Sequence, residues 1–175
     1  MNKQISEELQ EKFKRIKLLA LDFDGVLTVG GFVFFGQDST EYVQCSRKDS
    51  LGINMLQKNG IKVHVISKEA NPVVSARCKK MDIECNQAVE DSEGKAEILK
   101  HIAKDLNLSM DEVAYMGDDI NDQAPLELAG LAISVADGHP LLKSFVDYVT
   151  DAEGGRHAVR EISEIILKSK ELLIK

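Results

Sequence analysis

Two short segments concentrate the acidic side chains that could do chemistry: Asp22-Phe23-Asp24-Gly25 and Gly117-Asp118-Asp119-Ile120-Asn121-Asp122. Each closes an apolar run, IKLLALDF (16–23) in the first case and VAYMG (113–117) in the second. Such runs suit strands buried on both faces of a parallel sheet, and the ligand sites of such sheets lie beyond the carboxyl ends of the strands. Five carboxylates converging there repel one another unless a cation is present. No His or Cys accompanies them, so the donors are all oxygen. That selects a hard cation, Mg2+ first. Asp22 and Asp24 can reach the same loop space while Phe23 packs away, and Gly25 permits a tight turn. One carboxylate of the pair could attack phosphorus to form an aspartyl-phosphate. The other could protonate the leaving oxygen and then deprotonate the attacking water. Ser67, closing IKVHVIS (61–67), and Lys95, after the next short strand, would add a hydroxyl and a cation for the phosphoryl oxygens. Singly, these features are a turn, a helix cap and a solvated lysine. GDDIND also lacks the spaced ligands of an EF-hand calcium loop. Their order along the chain and their placement at strand ends make them one site.

The elements that must position these groups alternate. Ser6 to Lys14, with Leu9 and Phe13 four apart, reads as a short amphipathic helix. The stretch 31–45 carries FVFF and TEYVQC around a GQDS turn, a hairpin signal. Residues 49–59 form a helix with Leu51, Met55 and Leu56 inward, ended by Gly60. After the strand 61–67, Asn71-Pro72 opens a helix to about Met81, and DIECNQA is a short strand. Ser92 caps a helix whose buried face is Ile98, Leu99, Ile102 and Leu106. Ser109-x-x-Glu112 is a capping box before the strand 113–118. NDQAPLELA is helical to Gly130, LAISV (131–135) is a strand, and His139-Pro140 begins a turn, with His139 structural. DYVT is a last strand, and the tail from Gly155 is helical. His64, mid-strand, is expected to be packed, not catalytic. The alternation predicts an α/β fold: a parallel sheet with helices on both faces. With no repeats or linkers, residues 1–175 read as one domain.

Composition narrows the function. Of 175 residues, 22 are Lys or Arg and 29 Asp or Glu, for a net charge of −7. Such a chain has no broad electrostatic attraction for nucleic acid or an anionic membrane. No apolar run approaches the ~20 residues needed to span a bilayer, and the polar N-terminus has no signal-peptide core. Cys45, Cys78 and Cys85 form neither a disulfide framework nor a metal-ligand spacing, which suits a reduced, cytoplasmic compartment.

DFDGVLT, Ser67, Lys95 and GDDIND, in that order, resemble the four motifs of the haloacid dehalogenase superfamily. The resemblance implies a three-layer, Rossmann-like sheet with Asp22 as nucleophile and Asp24 as acid/base. It also implies Mg2+ held by Asp22, the Asp24 carbonyl and Asp118, with Asp119 and Asp122 supporting. The segments between Asp22 and Ser67 and between Ser67 and Lys95 are too short for a cap domain. Within the capless branch, RKDSLGI, VAYMGDDIND, VADGHPLL, DYVT and GGRHAVRE are similar to the 3-deoxy-D-manno-octulosonate 8-phosphate (KDO 8-phosphate) phosphatase family. That family includes phosphatases of nine-carbon sugar acids and domains fused to sialic-acid cytidylyltransferases. The likeness implies a role in sialic-acid or lipopolysaccharide sugar biosynthesis. It also implies a homotetramer in which protruding hairpins pack centrally and a neighbour closes each site.

Lys48 and Asp49 match a family Arg-Asp at the substrate mouth, and Arg156 is expected to reach substrate across a subunit boundary. Arg160 reads equally as a surface charge. Octulosonate enzymes show Gly-Arg after the motif-two hydroxyl residue, where this chain has Lys68-Glu69. Members acting on nonulosonate 9-phosphates are more similar here, with a Glu matching Glu69 and a Lys matching Lys80. On that likeness Glu69 would hold Lys80 against the substrate carboxylate, and a nonulosonate 9-phosphate is preferred over KDO 8-phosphate. Two alternatives differ in kind: a non-catalytic oligomerisation module related to the cytidylyltransferase-fused domains, and a broad-specificity sugar phosphatase.

Overall fold

A computed structural model describes residues 5–30 and 32–173. In chain order the strands are β1 (Leu18–Leu21), β2 (Phe34–Phe35), β3 (Glu41–Tyr42), β4 (Lys62–Ile66), β5 (Glu84–Asn86), β6 (Val113–Gly117), β7 (Leu131–Ser134) and β8 (Tyr148–Val149). The helices are α1 (Glu7–Arg15), α2 (Arg47–Lys58), α3 (Val73–Met81), α4 (Ser92–Asp105), α5 (Gln123–Leu128) and α6 (Ala158–Ser169). Leu18, Leu19, Ala20 and Leu21 are all buried, because β1 runs mid-sheet and is covered on both faces. The six-stranded sheet has the order β5-β4-β1-β6-β7-β8 and is parallel throughout. Its edge strands are short, β5 with three residues and β8 with two.

Side-chain alternation along β1 separates the two cores. Leu19 and Leu21 pack with Phe13 of α1, Ile53 and Leu56 of α2, Val74 of α3 and Ile162 and Ile166 of α6. Leu18 and Ala20 face the other way, toward Leu99 and Ala103 of α4 and Leu126 of α5. Each fully buried Leu or Ile contributes about 1.5–3 kcal/mol. The result is the expected three-layer α/β architecture, with β1 and β6 adjacent and in register, Leu21 opposite Met116. That adjacency brings the two acidic segments side by side.

Several local expectations change. In α2 the inward face is Asp49, Gly52, Ile53 and Leu56, whereas Leu51 is 53% exposed. Gly52 meets α6, where an added Cβ would lie 2.8 Å from Ser163 Oγ and 3.0 Å from Arg160 Cα. This close approach fixes the helix rotation and turns Leu51 outward. In α4 the cap is Asp91, whose carboxylate accepts the Gly94 N–H, while Ser92 Oγ accepts the Ala124 N–H and ties α4 to α5. The buried residues are Lys95, Ala96, Leu99 and Ala103, and Leu106 is partly exposed. Insertion of Lys95 sets this rotation.

The hairpin forms, with Phe34 opposite Tyr42 and Phe35 opposite Glu41, but its strands are shorter than FVFF and TEYVQC suggest. An isolated bridge pairs Thr28 with Cys45 at its base. The expected first residue, Gly31, lies outside the described residues. Phe32, Phe34, Phe35 and Tyr42 are all more than half exposed, so this chain's own core does not shelter them. Among the described residues, no helix is long and apolar enough to cross a membrane.

Candidate active site

The Asp22 N–H donates to the Met116 carbonyl at 2.9 Å, prolonging the β1–β6 ladder to the sheet's carboxyl edge. Asp22 Oδ1 accepts the Phe23 N–H at 2.7 Å and lies 3.0 Å from Lys95 Nζ. Lys95 projects from the first turn of α4 and is wholly buried. Its ammonium also donates to Asp122 Oδ1 at 2.7 Å. Asp122 closes the 3-10 turn Ile120–Asp122, and its Oδ2 accepts the Asp118 N–H at 3.0 Å. Asp22, Asp118 and Asp122 each offer an oxygen, with all three oxygens within 4.8 Å of one another.

Asp24 is half-buried, and Thr28 Oγ1 donates to its Oδ1 at 3.4 Å while accepting the Gly25 N–H at 3.2 Å. The Gly25 φ is +73°, and a Cβ there would collide with the Asp118 carboxylate. The glycine therefore serves both the turn and the close approach of Asp118. Gly25→Ala is expected to displace that carboxylate and weaken Mg2+ activation at least about tenfold, read from metal titrations of activity. Ser67 is buried just past β4, which pairs Val65 with Leu21. The hydroxyl thus stands beside the exit of β1, where its Oγ accepts the Glu69 N–H at 3.1 Å.

Electrostatics mark the cluster as built for a cation. Burial and the neighbouring Asp122 charge raise the Asp22 pKa well above the usual range, outweighing the Lys95 ammonium. Asp118 is pushed up to about 7 by burial, then by Asp122 and Asp119. Burial and, next, Glu69 raise Asp24. Burial disfavours the Lys95 charge, but Asp22 and Asp122 outweigh it and hold its pKa above normal. One ammonium among three converging carboxylates leaves excess negative charge. A hard divalent ion fits this oxygen-only donor set.

The other sequence-derived candidates separate. The Asp119 carboxylate is exposed and accepts the Ile120 N–H, capping its own turn. Lys48 and Lys68 are exposed. Asp49 is not a mouth residue: it is buried, and its Oδ1 accepts the Arg160 N–H at 2.8 Å, capping α6 from α2. Glu69 does not hold Lys80. Its Oε1 accepts the Asn71 N–H at 2.7 Å, and no Glu69–Lys80 ion pair occurs among the described residues. Lys80 lies near the far end of α3, about 10 Å along the axis from its start, because α3 runs back toward the amino edge. Arg156 is exposed, with its Nε 3.3 Å from Glu153. The adjoining Gly154 and Gly155 pack on the backbone of Gly25 and Thr28, which puts Arg156 at the rim.

Three further contributors lie within the motifs above, at positions to which the sequence alone assigns no role. Thr28 braces Asp24. The Asp137 carboxylate accepts the Gly154 N–H at 2.8 Å. Tyr115 Oη donates to Asp122 at 2.8 Å. His64 is packed as expected, with Nε2 2.7 Å from Asn86 Oδ1. It borders a cavity of about 440 Å3 that also touches Leu18, Ile83 and Ile102 at the opposite edge of the sheet, away from the carboxylates.

A parallel α/β sheet with acidic loops, a buried lysine and a hydroxyl at its carboxyl edge defines a hydrolase of the phosphoryl-transfer class. The sequence pattern of the haloacid dehalogenase-like hydrolases matches residues 61–161. The 3-deoxy-D-manno-octulosonate 8-phosphate phosphatase of Escherichia coli K12 is 34% identical over 163 residues, 93% of this chain and 85% of that one. The crystal structure of the Yersinia pestis phosphatase of the same name superposes with a TM-score of 0.91 at 30% identity, covering 97% of this chain and 90% of that one. That of Moraxella catarrhalis, in complex with magnesium, phosphate and KDO, has a TM-score of 0.88 at 34% identity, covering 94% and 92%. The chain belongs to the haloacid dehalogenase-like hydrolases and, within them, to the 3-deoxy-D-manno-octulosonate 8-phosphate phosphatase family. It is a phosphomonoesterase, and its cofactor is Mg2+.

Proposed function

We propose that the chain hydrolyses the terminal phosphate of a phosphorylated 2-keto-3-deoxy sugar acid through an aspartyl-phosphate at Asp22. The observation that carries this reading is the convergence of Asp22, Asp118, Asp122 and Lys95. Asp22 Oδ1 is engaged by Phe23 and Lys95, so Oδ2 is the oxygen that bonds to phosphorus. As the sugar–oxygen bond to phosphorus breaks, Asp24 gives its proton to the leaving oxygen. The raised pKa of Asp24 keeps that proton available. Asp24 then takes a proton from water as the water oxygen bonds to phosphorus, and Asp22 is released with inorganic phosphate. Ser67 and Lys95 hold phosphoryl oxygens throughout. Mg2+ would be held by Asp22, the Asp24 carbonyl and Asp118, with Asp122 and, by capping the loop's turn, Asp119 supporting, and it would supply charge neutralisation at the phosphoryl group.

The relatives favour KDO 8-phosphate as substrate. A second reading, a nonulosonate 9-phosphate, rests on the family likeness at Glu69, which stands where the octulosonate pattern has an arginine and whose charge adds to burial in raising the Asp24 pKa. Comparing kcat/KM on the two phosphates decides. An advantage of about a hundredfold for the eight-carbon substrate removes the nonulosonate reading, and the reverse removes the octulosonate one. Equal, weak turnover of a panel would indicate broad specificity. Absence of Mg2+-dependent phosphate release from any of them would favour the non-catalytic module, against which the intact set Asp22, Asp24, Ser67, Lys95 and Asp118 stands. EDTA should abolish activity, and Mg2+ should restore it.

The exposed Phe32, Phe34, Phe35 and Tyr42 suit association of hairpins from further copies into the homotetramer, with Lys48, Lys68 and a neighbour's Arg156 near the mouth. A monomer in sedimentation at working concentration would remove this. The three free thiols fit a reduced, cytoplasmic setting.

Metal uptake is expected to be pH-linked. Burial and the neighbouring Asp122 push the Asp118 carboxyl up to about 7 from its ordinary 3.8. The protonated form is favoured by the fold, so its stabilisation is full below about 3.8 and is lost as pH rises through about 7. Mg2+ requires the carboxylate. Its affinity should therefore fall as pH drops below about 7, by up to tenfold per pH unit. Melting curves should show a larger gain on adding Mg2+ at about pH 8 than at about pH 6.

A further inference from the structure

Tyr115 stands in the middle of β6 and is completely buried, among Leu18, Ala20, Ile66, Leu99 and Leu126 on the α4–α5 face of the sheet. A phenolic hydroxyl in such a layer needs a partner. The one it has is not a neighbouring backbone group but Asp122 Oδ1, at 2.8 Å. That oxygen also receives Lys95 Nζ at 2.7 Å. The other oxygen of Asp122 takes the N–H groups of Asp118 at 3.0 Å and Asp119 at 3.5 Å. Four protein donors therefore fix both oxygens of one carboxylate. Two come from the loop that follows β6, one from β6 itself and one from α4.

The donors on Oδ1 differ in kind. Lys95 reaches it on a flexible four-carbon stem. Tyr115 reaches it from a rigid ring locked by packing, and it brings no charge into a cluster that must also accept a cation and a phosphate. Lys95 has three ammonium protons. Two are directed at Asp122 and Asp22, leaving one for a phosphoryl oxygen. The direction of that third proton depends on where Asp122 Oδ1 sits, and Tyr115 holds that oxygen.

We propose that Tyr115 is a positioning residue for phosphoryl transfer: by donating to Asp122 Oδ1 alongside Lys95, it sets the point from which the Lys95 ammonium is aimed between Asp22 and the phosphate. This rests on the phosphatase reading above. Without the hydroxyl, Asp122 Oδ1 keeps Lys95 as its sole side-chain donor. The ammonium then moves toward the less-neutralised carboxylate and away from Asp22. Small misplacements of this sort act on the chemical step more than on binding.

The test is a double-mutant cycle on the Mg2+-loaded protein, using p-nitrophenyl phosphate and KDO 8-phosphate. Y115F keeps the ring and removes only the hydroxyl. It should lower kcat by about ten- to a hundredfold while leaving KM within about twofold. A loss confined to stability would leave kcat per folded molecule unchanged. Added to a D122N background, Y115F should alter kcat less than about twofold, because Tyr115 acts through that carboxylate. Should Y115F prove insoluble, Tyr115→Met makes the same comparison with a flexible apolar side chain. Unchanged kcat in either variant, or full additivity with D122N, overturns the proposal. An inactive wild-type protein strikes the phosphatase reading and this proposal with it. An active wild type with an indifferent Y115F strikes this proposal alone.

Discussion

Asp22→Asn should cut turnover by about four orders of magnitude or more while the protein stays folded. Asn preserves the shape and can still accept the Phe23 N–H that Asp22 Oδ1 accepts at 2.7 Å. It removes a negative charge from a buried cluster whose members raise one another's pKa values. The ion-free variant should therefore melt no lower than the wild type. What it loses is the oxygen that bonds to phosphorus. Asp24→Asn separates the two halves of the reaction. With p-nitrophenyl phosphate the leaving group needs little protonation, so the first half should proceed and the second stall. A phosphoryl adduct on Asp22 should then appear in the intact mass of that variant and not in that of Asp22→Asn. Near-full activity of Asp22→Asn, after contamination is excluded, would end the covalent mechanism.

Lys95→Met should be the most damaging single change to stability, and it should slow turnover as well. The ammonium is wholly buried and bridges Asp22 and Asp122 at 3.0 and 2.7 Å. Breaking such a pair from one side leaves buried charge uncompensated, at a cost of about 3–5 kcal/mol. Urea unfolding in EDTA reads this. Mg2+ should return part of the lost stability, and more than it adds to the wild type, because it would then be the principal neutralising charge. Turnover should still fall by about 10²–10³-fold at saturating Mg2+, since the ion does not replace the donor to phosphate. A Lys95→Met protein as stable as wild type in EDTA would mean that the bridge contributes little to the fold.

The positions of Asp22, Ser67, Lys95 and Asp118 were legible because each follows or closes an apolar run, and a parallel sheet delivers all such points to one edge. Leu51 and Leu106 depart, for a single reason, from the inward positions that periodicity predicts. Their helices bury polar or small residues on the inward face, Asp49 and Gly52 in α2 and Lys95 in α4, and a hydrophobic periodicity reads those positions as outward. Asp49 is legible only once α6 is known to start above it. The family likeness pairs Lys80 with Glu69, and the run of α3 away from the site parts them. Tyr115 was hidden because a tyrosine in a buried strand looks apolar until the turn carrying Asp122 folds back over it.

The sheet's short outer strands have a consequence for how the molecule meets copies of itself. With three residues in β5 and two in β8, neither border offers a ladder long enough for an incoming chain to extend. Lateral growth into ribbons is thereby discouraged at both borders. The proposed self-association would then rest on the exposed aromatic side chains of the hairpin, and a contact there can end in a closed, finite assembly and not an open-ended one.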